Sequence, residues 1–537
     1  MDKYRKVQGL AFIPVLATPE LASELAQFSF LRIMRPMPQL RPIHPTLLRS
    51  HQSMPVIFPS ESAINPNLRV AIFDGGIPNV NELNKWVTSI TPDGIGEPID
   101  EGLEHGLAVT SALLFGHVEQ PHLQRPFCNV DHIRVLDSTE SDDMEAIDVL
   151  DRILDHLDNY HKKYDFVNLS LGPVLPINDN DVTLWTAALD ERLSNNDILV
   201  TVAVGNDGEK DAIKGRNRIK PPSDCVNVLA VGACDSIKDN WARASYSCIG
   251  PGRRPGIIKP DGLAFGGTRN NPFMVVAPST EPTACAIRGT SFASPLTLRA
   301  AVGIKAYIGN DITQRTVRAL MIHKAKPGDH LKTHVGWGRF ETDVESLITC
   351  EDNEALILYQ GELPIGEHLR APLPIPEELV GSISITATLV IVSETDPQHP
   401  GAYTRSGLEV TFRPHAEKFK IQENGRKSKH PQSKSFFSVK EMYGKGEYDL
   451  REDGYKWEPC LKNTINFKSN SLFKPCFDIY YHSRAELSTA KNCKPIPYSL
   501  IISMKASKIP DFYNQVVRAY SNILVPLRPQ VQVMVQV

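Results

Sequence analysis

Between about residues 66 and 345 the chain alternates short apolar runs with longer helical patterns. This alternation limits the fold more than any other feature of the sequence. NLRVAIFDGG, HIRVLDS, DFVNLSLG, ILVTVAVGN and VNVLAVGACD are rich in Val, Ile and Leu, and most end in Gly, Asp or Asn. Runs of this kind, apolar without period-two alternation, are strands buried on both faces. Helical segments lie between them. The clearest is DDMEAIDVLDRILDHLDNYHKK, which places Ile147, Leu150, Ile153, Leu154 and Leu157 on one face. Strand–helix alternation predicts an α/β fold, a doubly wound, mainly parallel sheet with helices on both sides. In such sheets functional residues gather at the carboxyl ends of the strands.

A length of 537 residues exceeds what one core supports, so flanking domains are expected. Residues 1–62 read as an α+β segment and linker. GLAFIPVLA reads as a strand, TPELASELAQF as a helix capped by Thr18, and SFLRIMRPM as a second strand. Pro36, Pro38, Pro42 and Pro45 then interrupt regular structure. Residues 63–347 hold the alternating pattern. In residues 348–537 the pattern changes. SISITATLVIVS, GLEVTFRP, YSLIISMKA and PQVQVMVQV alternate as half-buried antiparallel strands do, which predicts an all-β sandwich-like domain. Lys418, Lys420, Arg426, Lys427 and Lys429 fall in a polar stretch between about 414 and 458 that reads as a solvated loop.

A formal net charge of −4 gives no reason to expect a nucleic acid or membrane partner, and no apolar run is long enough to span a bilayer. The basic, briefly apolar N-terminus is interrupted by Pro14, so a secretion signal is not expected. Nine cysteines, an odd number without C-x-x-C pairs, argue against a zinc site or disulfide framework. Reduced cysteines and a cytoplasmic location are the expectation.

Four fragments carry chemistry. Ser291, in RGTSFASPLTLRAAVGIKA, stands where a helical pattern begins; on that fragment alone it reads equally well as an ordinary N-cap. A serine nucleophile needs a base, and the base needs an orienting group. Among sixteen histidines, His105 in EHGLAVTSALLFG stands out because it opens a helix of small residues. Asp74, in RVAIFDGGIPN, lies at the end of a buried strand, where an acid requires a partner; by itself it also reads as a turn aspartate. Asn206, in VTVAVGNDG, ends another strand and offers an amide for an oxyanion, or a turn asparagine. Together they run Asp, His, Asn, Ser. The triad order Asp…His…Ser differs from that of α/β-hydrolases and of chymotrypsin-like enzymes.

These residues resemble the subtilisin-like serine peptidases, the subtilases. Asp74-Gly75-Gly76 is similar to the family's D-[ST]-G, and His105-Gly106-Leu107-Ala108-Val109 to its H-G-T-H-V-A. Gly289-Thr290-Ser291-Phe292-Ala293-Ser294-Pro295 matches its G-T-S-[MF]-[AS]-[AS]-P closely. Ala203-Val204-Gly205-Asn206-Asp207-Gly208 resembles the segment holding the oxyanion asparagine. Val167-Asn168-Leu169-Ser170-Leu171-Gly172 resembles the strand that pairs with the substrate backbone and walls the S1 pocket. Lys259-Pro260-Asp261 and Gly336-Trp337-Gly338 are similar to later landmarks of the catalytic domain. The departures are Gly75 for the usual Ser or Thr, Leu107-Ala108 for Thr-His, and Gly262-Leu263-Ala264-Phe265-Gly266 after K-P-D.

The resemblance implies a serine endopeptidase with Asp74, His105 and Ser291 as triad and with Asn206 and the Ser291 N–H as oxyanion hole. Ser170, Leu171, Gly172, Ala203, Val204 and Gly205 would bind substrate. It implies a protein or peptide substrate and no required cofactor or catalytic metal; a structural calcium has no support in the residues. The N-terminal segment resembles a subtilase propeptide, which chaperones folding or covers the cleft, and reads equally well as a retained structural domain. The arrangement also resembles bacterial cytoplasmic subtilases encoded beside AAA-type ATPases, which implies such an ATPase as partner. The rivals are a non-catalytic binding module on the same fold, a latent protease activated by a partner, and a serine esterase or acyltransferase.

Overall fold

The computed structural model describes residues 4–40, 53–137, 146–160, 164–277, 282–376, 379–421, 425–437, 454–484 and 494–527. The chain starts with a hairpin of β1 (Arg5–Val7) and β2 (Leu10–Phe12), followed by helix α1 (Pro19–Leu25). Thr18 Oγ1 caps α1 by accepting from the Leu21 N–H at 3.3 Å. GLAFIPVLA is thus not one strand. The chain reverses at Gln8–Gly9, and its second strand stops short of Pro14, which has no N–H to pair. SFLRIMRPM forms no strand: Phe30, Ile33 and Met34 stay exposed, and Pro36 and Pro38 have no N–H to pair. Pro42 and Pro45 lie outside the described residues. After β3 (Met54–Pro55) the alternating region begins.

That region builds one seven-stranded sheet. In chain order its elements are β4 (Arg69–Asp74), β5 (Val87–Ile90), α2 (Asp100–Phe115), β6 (Asn129–Arg134), α3 (Ala146–Tyr160), β7 (Phe166–Leu169), α4 (Leu184–Leu193), β8 (Leu199–Ala203), β9 (Leu229–Cys234) and β10 (Gly262–Phe265). Across the sheet the order is β10-β9-β8-β7-β4-β6-β5, and every neighbouring pair is parallel. The order reverses at β4, so the crevice beside its carboxyl end is the natural place for a site. Residues Phe166–Leu169, Leu199–Ala203 and Leu229–Cys234 are buried throughout, as continuous apolar runs require.

Helices cover both faces. Ile147, Leu150, Ile153, Leu154 and Leu157 of α3 are buried together with α4 against one face. The other face packs α2 and α5 (Thr290–Ile308), the latter reached through β11 (Phe273–Ala277) and β12 (Thr283–Ile287). β3 pairs with β12, which ties the chain before the sheet to the strand before α5. Helix α6 (Gln314–Lys324) follows.

The remaining chain is antiparallel. Its strands are β13 (Glu354–Leu363), β14 (His368–Pro372), β15 (Ser382–Ile391), β16 (Ser406–Arg413), β17 (Phe419–Ile421), β18 (Lys427–Pro431), β19 (Cys460–Lys468), β20 (Cys476–Ser483) and β21 (Ile496–Lys505). Sheets β13-β21-β15-β19 and β14-β20-β16 enclose a core that includes Ile385, Leu389, Ile502, Val410, Phe412 and Phe477. The polar stretch is not wholly loop, since β17 and β18 pair as a small ribbon carrying Lys420, Lys427 and Lys429. PQVQVMVQV lies outside the described residues. A helix at Phe512–Tyr520, which the sequence pattern does not announce, buries Phe512 and Val516.

Buried polar contacts bind the sandwich to the parallel-sheet region. Glu458 accepts from the Gly256 and Ile257 N–H groups at 2.9 and 3.2 Å, and Tyr403 donates to Asp190 at 3.0 Å. Lys462 Nζ donates to the Ile322 and Ala325 carbonyls at the end of α6, at 2.9 and 2.8 Å. Such groups are costly to leave unpaired, so the two regions stabilise each other.

Candidate active site

Asp74 is the last residue of β4 and is fully buried. Its Oδ1 accepts from the Gly75 N–H at 2.8 Å and lies 2.8 Å from His105 Nδ1. His105 does not open its helix as the sequence pattern suggests. Helix α2 starts five residues earlier at Asp100, and the ring emerges from its second turn, 4 % exposed. The acidic stretch Asp100–Glu104 is the first turn and a half of the helix, a position that favours carboxylates. The helix comes very close to the strand end. A Cβ on Gly75 would stand 2.4 Å from the Gly102 carbonyl oxygen, and one on Gly106 would stand 1.9 Å from the Gly76 oxygen. Only glycine permits this approach, and the approach brings the imidazole to the carboxylate.

Ser291 is the second residue of α5. Its neighbour Phe292 lies beside His105, with ring centroids 5.9 Å apart. The serine hydroxyl is directed at the Ser170 carbonyl, 3.4 Å away. Asn206 follows β8 and is exposed. Its Oδ1 accepts from both the N–H and the hydroxyl of Thr290, each at 2.9 Å. Two donors on Oδ1 fix the amide orientation, so Nδ2 is left as a donor beside the start of α5.

Asn168, inside the Val167–Gly172 segment, is a further residue of the candidate site that its sequence context does not mark out. Its Nδ2 donates to Ser170 Oγ at 3.0 Å, and its Oδ1 accepts from Thr201 at 3.1 Å and Ser294 at 2.8 Å. Ser170 Oγ in turn donates to the Ser291 carbonyl at 2.9 Å. One buried amide therefore joins β7, β8 and α5. The available signal was a single Asn in an otherwise apolar strand, which at 0 % exposure must be fully paired.

Ser170-Leu171-Gly172 leave β7 next to the serine. Val204 and Gly205 lie across from them, and their backbone groups are engaged within the protein. The Val204 carbonyl accepts from Lys220 N–H at 3.2 Å, the Gly205 N–H donates to Thr290 Oγ1 at 3.3 Å, and the Gly205 carbonyl accepts from Cys248 N–H at 3.0 Å. Ala203 ends β8 itself and is buried. These three residues can offer a ligand a wall rather than a strand to pair with. Buried Lys220 ties the two sides together by bonding the Val174 carbonyl and the Asp207 carboxylate. Burial alone would push Asp207 up; the bonds from Lys220 and Lys210 outweigh it and hold the carboxyl below its ordinary range.

The N-terminal segment reaches the same edge. Leu40 pairs antiparallel with Pro173, and the Val174 N–H donates to the Gln39 carbonyl at 2.9 Å. The chain thus forms a short antiparallel bridge with the residues that follow Ser170-Leu171-Gly172. Among the described residues no group of three or more His, Cys, Asp or Glu side chains is placed to hold a metal ion, and no helix is long and apolar enough to cross a membrane.

Comparison with known proteins gives a consistent result. The model of the Subtilase family, Peptidase_S8, matches residues 41–338. Membrane-bound transcription factor site-1 protease of Mus musculus is 28 % identical over 251 residues, covering 43 % of this chain and 20 % of the relative; the Homo sapiens protein matches to the same extent. The chain thus matches about a fifth of the length of these curated relatives. Among solved structures, the patellamide maturation protease PatA is 21 % identical with a TM-score of 0.40, covering 53 % of this chain and 97 % of that one. The epidermin leader peptide processing serine protease of Staphylococcus aureus is 18 % identical with a TM-score of 0.41, covering 53 % and 75 %.

Proposed function

The chain belongs to the subtilase family, and from that premise we propose that it is a serine endopeptidase acting through Asp74, His105 and Ser291. One observation carries the reading. A fully buried carboxylate lies 2.8 Å from an imidazole at the rim where the nucleophile helix begins. In the reaction Ser291 Oγ turns from the Ser170 carbonyl to His105 and attacks the scissile carbonyl carbon, while His105 Nε2 takes its proton. Asp74 holds the Nδ1–H tautomer and stabilises the imidazolium. Asn206 Nδ2 and the Ser291 N–H donate to the oxygen as it becomes negative. The C–N bond then breaks as His105 protonates the leaving amine. Water hydrolyses the acyl-enzyme and restores the serine. No cofactor enters this sequence.

The substrate in this reading is a protein or peptide lying as a strand along Ser170-Leu171-Gly172. A fluorophosphonate probe tests the nucleophile. Labelling that vanishes in Ser291→Ala supports it; an adduct that persists in that variant, or none in any form of the chain, overturns it.

A second reading is favoured by the bridge of Gln39–Leu40 to Pro173–Val174. A substrate lying along Ser170-Leu171-Gly172 and extending past Gly172 would meet the N-terminal segment there, so in this reading the enzyme is latent while that segment is in place. Displacement by a partner, or removal of the segment, would activate it. An AAA-type ATPase and a cytoplasmic setting belong to this reading, and purification from the native host with no ATPase attached would remove the ATPase from it.

A further inference from the structure

Asp74 uses only one of its two carboxylate oxygens. Oδ1 takes both the Gly75 N–H and the His105 ring, whereas Oδ2 is buried with no hydrogen-bond partner among the described residues. A side chain at residue 75, beside the aspartate, has no room. Gly102 sits 2.4 Å from where a Cβ of residue 75 would be, and the obstacle is helix backbone that cannot swing aside. The tight approach of α2 that delivers His105 thus leaves no room at residue 75 for a side chain that could reach Oδ2.

A second unpaired polar atom lies in the same compartment. In the parallel register of β4 and β6, Ile72 opposes His132 and Asp74 opposes Arg134. The two-residue period puts Asp74 and His132 on one face, as diagonal neighbours under α2. His132 is 0 % exposed. Its Nδ1 is 2.9 Å from the hydroxyl of Thr110 on α2, and its Nε2 has no partner among the described residues. A Cβ on Gly106, the residue after His105, would touch the ring at 2.9 Å from Cε1. The imidazole is therefore wedged between the aspartate's strand and the histidine's helix.

We propose that His132 is a positioning residue of the acid–base pair, a neutral buried imidazole that, bonded to Thr110 and packed under Gly106, holds the helix carrying His105 against the strand carrying Asp74. The inference rests on the proposed roles of Asp74 and His105. The charged and titratable groups facing the ring are Asp74 on β4, His105 on α2 and Arg134 on its own strand. Arg134 donates to the Gly96 and Leu136 carbonyls and is thus turned to the loop side. Burial pushes His132 down to about 4, with the Asp74 charge opposing and the His105 charge adding to it. The ring stays neutral wherever a subtilase base would work, so Nε2 can serve as a donor or acceptor but not as a competing cation.

The test compares the full chain with His132→Phe, His132→Gln and Thr110→Val, following the His105 ring by nitrogen-detected NMR titration and Ser291 by fluorophosphonate labelling across pH. In His132→Phe we expect the His105 midpoint to move down by about half a unit or more, because a loosened Asp74 stabilises imidazolium less well. Labelling should slow about tenfold with its pH midpoint shifted in step. His132→Gln, which keeps a polar atom, should recover most of both. Thr110→Val frees the ring without changing core volume and should move both readouts in the same direction, which keeps the test open if His132→Phe fails to fold. If His105 and the labelling profile are unmoved in folded His132→Phe or Thr110→Val, the inference is overturned while the reading of the triad stands. A His105 ring that titrates independently of Asp74→Asn would instead overturn the triad reading on which the inference rests.

Discussion

The parallel-sheet region and the N-terminal piece of residues 4–40 are held in place by opposite means. In the sheet, strands β7, β8 and β9 are buried throughout, and each face has its own apolar core. In residues 4–40, Val7 alone is buried; α1 buries no side chain, and Leu16 and Phe30 are almost wholly exposed. The piece is attached by polar contacts instead. Arg5 pairs with Asp151 and Asp155 at 2.6 and 3.2 Å, Arg35 with Asp181 at 2.6 Å, and Gln39–Leu40 with the edge at Pro173–Val174. One buried valine contributes about 1.5–3 kcal/mol, and partly exposed ion pairs about 0–1 kcal/mol each. The first region is thus a fold, and the second is closer to a ligand joined to it by the chain.

This contrast leads to predictions of decreasing size. If the sheet region carries all the chemistry, Ser291→Ala lowers peptide hydrolysis by about 10⁶-fold in a progress-curve assay, without changing the melting temperature. Asn206→Ala lowers kcat by about 10²–10³-fold, or about 2.7–4 kcal/mol, with KM little altered. Deleting residues 1–40 should act in the other direction. Probe labelling of Ser291 speeds up about tenfold or more, equivalent to about 1.4 kcal/mol of docking, while calorimetry finds the main transition almost unmoved. A truncated chain that unfolds would break the comparison.

Acid titration sharpens it. Burial pushes His117 and His132 to about 4 and His323 well below its ordinary value. Unfolded histidines titrate near 6.5. Between these values the unfolded chain binds more protons, so stability is complete above about pH 6.5 and falls as pH drops toward 4. Each fully buried imidazole contributes about 1.4 kcal/mol per pH unit in that window. Denaturant melts should show this slope unchanged after truncation, since residues 4–40 contain no histidine. The smallest effect is that of Arg35→Ala. It weakens docking by about 1 kcal/mol or less and speeds labelling a few-fold.

How far the sequence foretells each region follows from the same difference. The parallel strands were legible because burial on both faces leaves an uninterrupted apolar run. The antiparallel strands were legible because half-burial leaves alternation, as at Ser382–Ile391. SFLRIMRPM misleads because its apolar side chains are not answered by burial: Phe30, Ile33 and Met34 stay exposed. The four candidate groups stand out only together, through their order along the chain and their likeness to subtilase motifs, and the start of α2 could not be read because its first turn is acidic and polar. Asn168, Thr110 and His132 escape local reading for another reason. A polar residue inside an apolar element is marked only by the partner it meets, and those partners come from other strands and helices.

Asn168 also bears on how the site would fail. Its amide is bonded at once to the loop leaving β7, to the strand that leads to Asn206, and to the helix that carries Ser291. The edge that would grip a peptide, the donor that would meet its oxygen and the hydroxyl that would attack it share a single joint. None of them can drift while the others keep their place. On heating, such a site does not grow sloppy by degrees; loss of turnover and melting of the sheet should coincide at one temperature.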